Sequence, residues 1–234
     1  ASHPAVNFIA VSDVNLGAAQ KLAKEVGAQL ASASNDEVIA RPDVNAVIVS
    51  TSEGEHLAPV LRAIELGKPV LVEKPLALNL ADADRIIAAA AKANVSLRVG
   101  YSRRYKDRYL IAKEQIIQGR VGKIVGGAAR VYNSRAQALA MMKRNPEATP
   151  VVDALTYYVD LMNWLLEGNA PVEVFARGQK GVLQAAGHDV DDVNWSIVTY
   201  ADGAVVNLGV SYALPDKYPS LGHAARVEIL GTEG

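Results

Sequence analysis

The chain contains no cysteine among its 234 residues, and this absence excludes several kinds of chemistry. Without cysteine there is no disulfide framework, no thiolate nucleophile and no zinc centre with cysteine ligands. Basic and acidic residues number 24 and 25 and are interspersed, so the charge pattern does not indicate a nucleic-acid partner. No apolar run approaches the ~18 residues of a membrane span, so we expect no membrane partner and a cytoplasmic location.

A glycine-rich phosphate loop is also absent, because the pattern Gly-x-Gly-x-x-Gly occurs nowhere in the chain. In dinucleotide-binding folds this loop joins the first strand to the first helix and holds the pyrophosphate. Here a strand already begins at Phe8, close behind Ala1, and another runs up to Gly231 just before the chain stops. We therefore expect a chain that is truncated at both ends. The strand, turn and helix that carry the loop would lie upstream of Ala1, and part of the C-terminal domain downstream of Gly234.

What the chain does contain is an alternation of short strands and helices over residues 1–100. Apolar runs separated by helices and short connections predict a parallel, Rossmann-type sheet. The predicted strands are Phe8–Ser12, Ala46–Ser50, Val70–Val72 and Val95–Val99, and the predicted helices are Leu16–Val26, His56–Leu66 and Leu80–Ala93, the last capped by Asn79. We therefore predict an α/β fold whose first domain, residues 1–100, is part of an NAD-binding Rossmann domain.

The pattern changes near Gly100, and we place a domain boundary there. Longer segments of alternating apolar and polar residues predict an α/β domain over residues 101–234, with an open antiparallel sheet covered by helices on one face. Its predicted elements are helices over Tyr109–Ile117 and Val152–Leu166, and strands over Lys123–Tyr132, Trp195–Tyr200, Ala204–Val210 and Arg226–Gly231. Residues 133–149 are predicted to form a polar connection.

The segment Glu73-Lys74-Pro75 directly follows the predicted strand Val70–Val72. Ligands of open α/β sheets bind just beyond the carboxyl ends of the strands, so Lys74 lies where a reacting group is expected. Pro75 fixes its own φ and favours extended backbone at Lys74, which places the ammonium group on a stiff support. The alternative interpretation is a surface lysine at a turn, because isolated tripeptide matches are often accidental.

Polar residues also follow the first two predicted strands. Asp13 ends the first strand, where an acid accepts hydrogen bonds from a dinucleotide's ribose hydroxyls and repels a 2′-phosphate, which favours NAD over NADP. Ser50, Thr51 and Ser52 end the second strand, where small hydroxylated side chains can approach a ribose or nicotinamide. His56 follows them and is a candidate for contact with the nicotinamide ring. Turn formation and helix capping are the alternative roles of Asp13 and Ser52, and a solvated position is the alternative for His56.

The predicted helix Val152–Leu166 carries a carboxylate and a phenol one turn apart, at Asp153 and Tyr157. Side chains four residues apart share a helix face, so both can reach one ligand. The alternative is a stripe at the boundary between core and solvent. The predicted core stripe of this helix is Val152, Leu155, Val159, Met162 and Leu166. The acidic segment 188–192 lacks the ligand spacing of a metal site, so we predict a solvated loop and no metal centre.

Together these segments resemble the Gfo/Idh/MocA family of oxidoreductases. The resemblance rests on Val47–Thr51 with His56 downstream, Gly67–Pro75, Val99–Tyr105, Val152-Asp153 through Trp164-Leu165, the hairpin at Asp202-Gly203, and Leu230–Gly234. It implies a Rossmann domain followed by an α/β domain whose open antiparallel sheet binds substrate and makes oligomer contacts. It also implies NAD as the cofactor and a homo-oligomer, either a dimer or a tetramer.

The resemblance also assigns roles to single residues. Lys74 would contact the reacting hydroxyl, in an acid/base relay or as a stabiliser of the developing alkoxide, and Asp153 would bind the substrate. Tyr157 stands where the family usually has histidine, and an unperturbed phenol titrates near ~10. Either Lys74 carries the proton while Tyr157 donates a hydrogen bond, or the chemistry differs. The other implied residues are Glu73 and Pro75 at the cofactor, and Tyr101 and Arg103 at the substrate.

The sequence therefore predicts an NAD-dependent oxidoreductase that oxidises a secondary alcohol of a sugar, sugar acid or cyclic polyol by hydride transfer. Two alternatives stay open. One is a non-catalytic member that binds a nucleotide or sugar and regulates a partner, which Tyr157 and the absent phosphate loop favour. The other is NAD-dependent glycoside cleavage or epimerisation without net redox change.

Overall fold

The computed structural model describes residues 3–146, 148–218 and 223–234, with the backbone alone at His223. The chain divides into two compact units, Ala1–Gly100 and Tyr101–Gly234. Each unit has its own hydrophobic core. Among the described residues, no helix is both long enough and apolar enough to span a bilayer.

The first unit contains five short strands and four helices. The strands are β1 (Ala10–Ser12), β2 (Leu30–Ser32), β3 (Val47–Val49), β4 (Val70–Val72) and β5 (Leu97–Val99), and the helices are α1 (Leu16–Val26), α2 (Asn35–Ile39), α3 (Leu57–Glu65) and α4 (Leu80–Ala93). All observed strand pairs are parallel, with β1 beside β2 and β4 between β3 and β5. The parallel α/β architecture predicted from the sequence is confirmed.

The parallel strands of the first unit form two sheets, β1-β2 and β3-β4-β5. A doubly wound dinucleotide-binding sheet has the order 3-2-1-4-5-6. The pair β2-β1 fits positions 3-2, and β3-β4-β5 fits positions 4-5-6. No strand in the described part of the chain fills position 1, which is the strand that precedes the phosphate loop.

Local sequence explains the helix ends of the first unit. The Asn79 side chain accepts a hydrogen bond from the Asp82 N–H at 2.9 Å, which confirms it as the cap of α4. Gly27 ends α1 in the left-handed region at φ 70°, as a glycine after a helix often does. Strand β2 and helix α2 were not predicted, because elements of three and five residues are too short to show a hydrophobic period.

The second unit is built on a five-stranded sheet. Its elements are α5 (Asp107–Ile117), β6 (Ile124–Ser134), α6 (Arg135–Arg144), α7 (Thr156–Leu165), β7 (Pro171–Gln179), α8 (Val182–Ala185), β8 (Val193–Tyr200), β9 (Val205–Leu214) and β10 (His223–Gly231). The strand order is β10-β6-β9-β8-β7. Three of the four pairs are antiparallel as expected, but β6 and β9 are parallel, so the sheet is mixed.

Two departures from the predicted elements occur before β7. Residues 135–144 form α6 inside the expected polar connection, with Ala138, Met141 and Met142 buried. The spacing of these three residues is compatible with a helix, but polar residues surround them, so the sequence shows no clear amphipathic pattern. The predicted helix Val152–Leu166 is instead a π-helical turn, Val151–Leu155, that leads into α7.

The π-helical turn also corrects the predicted core stripe. A π turn holds more residues than an α turn, so it rotates the following residues about the helix axis. Val159 is consequently exposed, with 36% of its surface accessible, while Tyr158 and Leu161 are buried. Leu155, Met162 and Leu166 are buried as predicted.

The sheet of the second unit has one covered face and one open face. On β9, Val206, Leu208, Val210 and Tyr212 are buried in the same core as α7. On β8, Trp195 and Ile197 have the opposite parity, lie on the face without helices and are exposed. The edge strand β7 and helix α8 were not predicted from the sequence.

Candidate functional site

Lys74 lies directly beyond the carboxyl end of β4, within a corner formed by three parallel strands. The Glu73 N–H donates to the Val49 carbonyl at 2.9 Å, and the Gly100 N–H donates to the Val72 carbonyl at 2.7 Å. These hydrogen bonds bring the ends of β3, β4 and β5 together, as the sequence predicts. Lys74 itself is half-buried, and the Lys74–Pro75 peptide bond is cis.

His56 lies between the two loops that follow β3 and β4. Its ring is 1% exposed, which corrects the alternative of a solvated histidine. Nδ1 lies 2.8 Å from the Pro75 carbonyl oxygen and Nε2 lies 3.2 Å from the Thr51 carbonyl oxygen. Both ring nitrogens therefore face backbone acceptors of the first unit, so His56 connects the loop after β3 to the loop after β4.

The end of β5 approaches Glu73 closely at Gly100. A Cβ atom at Gly100 would lie 2.9 Å from the Glu73 Oε2 and 3.3 Å from the Glu73 Cα. Both distances are shorter than an ordinary contact, so a side chain at this position would displace Glu73. The close approach of Glu73 thus explains why residue 100 is a glycine.

The predicted ribose and nicotinamide residues occupy the ends of β1 and β3. Asp13 is exposed, and its Oδ1 accepts a hydrogen bond from the Asn15 N–H at 2.8 Å, so the carboxylate also forms a turn. Ser50 and Ser52 are exposed, and Ser52 precedes the 3₁₀ turn Glu53–Glu55 without a side-chain cap bond. The Thr51 hydroxyl is buried with no hydrogen-bond partner among the described residues.

In the second unit, Asp153 lies on the π-helical turn and is held by a residue of the sheet. The Tyr212 hydroxyl, on β9, donates a hydrogen bond to the Asp153 Oδ2. Burial, reinforced by the Asp153 carboxylate, raises the pKa of Tyr212 far above its ordinary value, so this phenol stays a donor. Tyr212 was not predicted as a site residue from the sequence, although its position on β9 places it on the helix-covered face.

Tyr101, Arg103 and Tyr157 form a second cluster in this unit. The Tyr101 and Tyr157 rings meet edge to face, with centroids 6.3 Å apart, and the Tyr101 hydroxyl lies 3.0 Å from the Thr156 hydroxyl. The Arg103 guanidinium lies 5.1 Å from the Tyr157 ring centroid. The Arg103 Nε is buried and has no hydrogen-bond partner among the described residues.

An ion pair fixes the segment that carries this cluster. The short helical turn Ser102–Tyr105 is joined to α7 by two hydrogen bonds from Arg104 to Asp160, one of 2.8 Å from Nε to Oδ2. Hydrogen bonding to Asp160 raises the pKa of the Arg104 guanidinium. Asp160 is buried, so this bidentate pair fixes the turn to the helix more firmly than an exposed pair would.

Both units match models of known protein families. Residues 1–101 match the model described as "Oxidoreductase family, NAD-binding Rossmann fold". Residues 109–234 match the model of the GFO/IDH/MocA C-terminal domain. The chain belongs to the Gfo/Idh/MocA family. The predicted family, the Rossmann domain and NAD as its cofactor are therefore confirmed.

Several relatives within the Gfo/Idh/MocA family have established names. The inositol 2-dehydrogenase of Gluconacetobacter diazotrophicus is 35% identical over 164 residues, which are 69% of this chain and 47% of that protein. The scyllo-inositol 2-dehydrogenase (NAD(+)) of Bacillus subtilis is 28% identical over an alignment 236 positions long, which covers 100% of this chain and 66% of that protein. The chain thus spans between about half and two thirds of the length of these relatives.

Solved structures of Gfo/Idh/MocA proteins confirm the fold of this chain. A probable dehydrogenase from Thermotoga maritima aligns over 98% of this chain and 67% of its own, with 27% identity and a TM-score of 0.86. The agreement covers both units and the mixed sheet of the second.

The residues of the Gfo/Idh/MocA chain fit one part of a bound NAD. The unpartnered Thr51 hydroxyl and the exposed Asp13 carboxylate lie at strand ends, where ribose hydroxyls are bound in Rossmann domains. The pyrophosphate has no glycine-rich loop among the residues of this sequence. The fit therefore concerns the ribose hydroxyls of the cofactor.

The acidic segment 188–192 differs from the predicted solvated loop. Asp192 is fully buried and accepts hydrogen bonds from the Val182 and Leu183 N–H groups at 2.6 and 2.7 Å, so it caps α8. Asp189 forms an exposed ion pair with Lys180. No group of three metal-ligating side chains is found in the described ranges.

Proposed function

We propose that this protein is an NAD-dependent oxidoreductase that oxidises a secondary alcohol of a cyclic polyol or sugar by hydride transfer. The observation that carries the proposal is the position of Lys74, half-buried beyond β4 in a corner that His56 and Gly100 constrain. The names of the inositol 2-dehydrogenase relatives support the substrate class. NAD, when bound, supplies the hydride acceptor.

In this proposal each named residue has a defined task. The neutral Lys74 amine accepts the proton of the reacting hydroxyl as the hydride leaves the carbon, and the ammonium that results stabilises the negative charge that develops on that oxygen. Asp153 accepts hydrogen bonds from substrate hydroxyls while Tyr212 holds the carboxylate in place. Tyr157 presents a phenol where the family usually has histidine, so it donates a hydrogen bond and Lys74 handles the proton. Asp13, Ser50, Thr51 and Ser52 approach the cofactor, together with Glu73 and Pro75.

The test is NAD reduction across a panel of inositols, sugars and sugar acids, measured for the natural protein and for Lys74→Met. We expect Lys74→Met to lower kcat/KM by ~10²-fold or more while NADH binding stays within about twofold. Lys92→Met is the matched control, because Lys92 is exposed at the end of α4, and its turnover should be unchanged. Equal turnover in both variants would refute the role of Lys74.

A non-catalytic binding function is the second candidate, and Tyr157 is the observation that favours it. Without the usual histidine, the second unit has one titratable partner fewer for proton transfer. This candidate predicts binding of a polyol or NADH with no reduction of NAD by any member of the panel. Analysis of products without net NADH formation would instead indicate epimerisation or glycoside cleavage.

We propose that Arg103 favours acidic over neutral substrates. Its guanidinium, whose Nε has no hydrogen-bond partner among the described residues, would donate strong hydrogen bonds to a substrate carboxylate. A sugar acid would therefore be oxidised with a lower KM than the matching neutral sugar, and Arg103→Gln would remove the difference.

We also propose that the protein is cytoplasmic and self-associates as a dimer or tetramer. The open face of the second unit's sheet supports self-association, because Phe175, Trp195 and Ile197 are exposed there by 56%, 39% and 46%. Sedimentation velocity of the purified protein gives the oligomeric state. A monomer at all concentrations would contradict this part of the proposal.

A further inference from the structure

The start of α5 carries three cationic side chains that have no carboxylate partner. Arg103, Lys106 and Arg108 form no ion pair within the described part of the chain. Arg104 lies between the first two in sequence, but its charge is paired with that of Asp160. Lys106 and Arg108 are exposed, so this concentration of positive charge faces solvent.

Aromatic rings support the two unpaired guanidinium groups. The Arg103 guanidinium lies 5.1 Å from the Tyr157 ring centroid, and the Arg108 guanidinium lies 4.9 Å from the Tyr109 ring centroid. Contacts of this kind attract the cation to the ring face and restrict the conformations of the arginine side chain. Both arginines therefore remain in the neighbourhood of Lys106, where their charges repel its ammonium group.

Lys106 also lies at the N-terminal end of a helix. It directly precedes α5, and no side chain caps this end of the helix by a hydrogen bond. A helix N-terminus carries a partial positive charge, which disfavours an ammonium group beside it. The exposed Asp107 is the acid of the first helical turn, and it forms no ion pair among the described residues. The charge around Lys106 is thus predominantly positive.

These surroundings change the protonation of Lys106. The Arg103 charge is the largest cause that lowers the pKa of Lys106 below its ordinary value, followed by partial desolvation and the Arg108 charge. On α7 the nearby carboxylate is Asp160, which is bound to Arg104 and so does not offset the repulsion. At a given pH, Lys106 therefore contains more neutral amine than an ordinary exposed lysine, and the neutral amine is the nucleophilic form.

We propose that Lys106 is a modification site that accepts an acyl group from an acyl phosphate. The unpaired charges of Arg103 and Arg108 attract the phosphate group to the neighbourhood of the Lys106 amine. The amine nitrogen attacks the acyl carbon, so the N–C bond forms while the C–O bond to phosphate breaks. Inorganic phosphate leaves with the electron pair of that bond, and the amine releases one proton to water. The step needs no oxidant or reductant.

Acylation has a consequence for substrate binding, which rests on the proposed function. It removes one positive charge near Arg103, the residue proposed to favour acidic substrates. The KM for a sugar acid should therefore rise by about threefold in the acylated chain, while the KM for the matching neutral sugar stays the same. Lys106→Gln removes the same charge and should have the same effect. The acylation itself does not depend on dehydrogenase activity.

Two other lysines of the chain provide an internal comparison. Lys180 is exposed and forms an ion pair of 2.7 Å with Asp189, whose hydrogen bond raises the pKa of Lys180. Lys92 is exposed in the last turn of α4, where the helix end favours a positive charge. Both side chains are open to a reagent in solution, but their surroundings favour the unreactive ammonium form.

The experiment is acetylation of the full chain by acetyl phosphate at about pH 8, stopped at low conversion and measured at each lysine by mass spectrometry. Lys106 should react about fivefold faster than Lys180 and Lys92. Equal or slower reaction at Lys106 would overturn the proposal. Since no NAD is reduced in this measurement, its result is independent of whether the proposed dehydrogenase function is correct.

A variant of Arg108 tests the contribution of the neighbouring charge. Arg108→Gln removes one positive charge, so it should lower the rate at Lys106 by about threefold and leave the rate at Lys180 unchanged. Arg85→Gln is the matched control, because Arg85 is exposed on α4 and paired with Asp82, and it should change neither rate. Circular dichroism checks that both variants are folded. The proposal would also be wrong if folded Arg108→Gln reacted at Lys106 as fast as the natural chain.

Discussion

The Nδ1 atom of His56 lies 2.8 Å from the carbonyl oxygen of Pro75, the residue that follows Lys74. The other ring nitrogen approaches the Thr51 carbonyl at 3.2 Å. One buried side chain thus connects the loop that carries the candidate catalytic lysine to the loop that carries the candidate cofactor hydroxyls. We define His56 as a positioning residue, since its ring nitrogens face backbone atoms of the protein.

Replacing His56 by leucine should destabilise the protein and loosen the Lys74 corner. The change keeps most of the volume but removes the ring nitrogens that lie beside the Pro75 and Thr51 carbonyl oxygens. The lost hydrogen bonding costs about 1–3 kcal/mol of the free energy of unfolding. Urea denaturation measures this loss. His188→Leu is the control, because the His188 side chain forms no hydrogen bond among the described residues, and it should change stability by less than about 0.5 kcal/mol. Equal losses in both variants would contradict the positioning role.

Gly100→Ala should lower activity more than stability. The new Cβ would press on Glu73, mainly on the movable carboxylate but also on the Cα at 3.3 Å, so the backbone beside Lys74 must shift. We expect a loss of roughly 1 kcal/mol in the free energy of unfolding and a clear drop in kcat. Gly54→Ala, whose Cβ would lie 3.8 Å from a Leu78 methyl group, is the matched control and should affect neither quantity.

Tyr212→Phe should weaken substrate binding through Asp153. The variant keeps the ring in the core and removes the hydroxyl that donates to the Asp153 carboxylate, so the carboxylate loses its orientation. Under the proposed function KM for the polyol should rise about tenfold, with a smaller effect on NADH affinity. An unchanged KM together with a lower melting temperature would show that Tyr212 is only structural. Tyr200→Phe, which removes a buried hydroxyl bonded to Asn163, serves as the control for stability.

Tyr158→Phe should stabilise the protein. The Tyr158 hydroxyl is buried and has no hydrogen-bond partner in the described part of the chain, so its removal from the folded state relieves a desolvation cost of about 1 kcal/mol. Urea denaturation at pH 8 would show the gain. A loss of stability would indicate a partner for this hydroxyl that the described residues do not include.

The same variant has a defined effect at alkaline pH. Burial raises the pKa values of Tyr158 and Tyr200 above their ordinary value in the unfolded chain. Below about pH 10 these shifts leave the stability unchanged, and stability is lost as the pH rises further, because only the unfolded chain then releases the proton. The slope of stability against pH above 10 should be shallower in Tyr158→Phe, by at most about 1.4 kcal/mol per pH unit.

Much of the first unit could be predicted because the residues that begin and end its elements lie within those elements or next to them. The bounds of α1, β4 and α4 agree with the prediction, since apolar runs, Asn79 as a cap and Gly27 as a stop act within a few residues. In the second unit the hairpin at Asp202-Gly203 was predicted for the same reason: Gly203 adopts φ 90° there.

The elements that were missed depend on contacts distant in the chain. Helix α6 is stabilised by burying Met141 and Met142, and the parallel pairing of β6 with β9 joins segments about 80 residues apart. The π-helical turn at Val151–Leu155 gives no periodic pattern that a helical wheel can show, yet it decides that Tyr158 rather than Val159 is buried.

The sequence by itself determined the family, the parallel and α/β character of the two units, and Lys74 with Asp153 and Tyr157 as candidate residues. These follow from local patterns, which act over one strand, one turn or one helix. Only the tertiary structure decided that His56 is buried between two loops, that Tyr212 holds Asp153, and that β7 is a sheet edge. The reason is physical: such contacts depend on which strands become neighbours, and residues far apart in the chain decide that together.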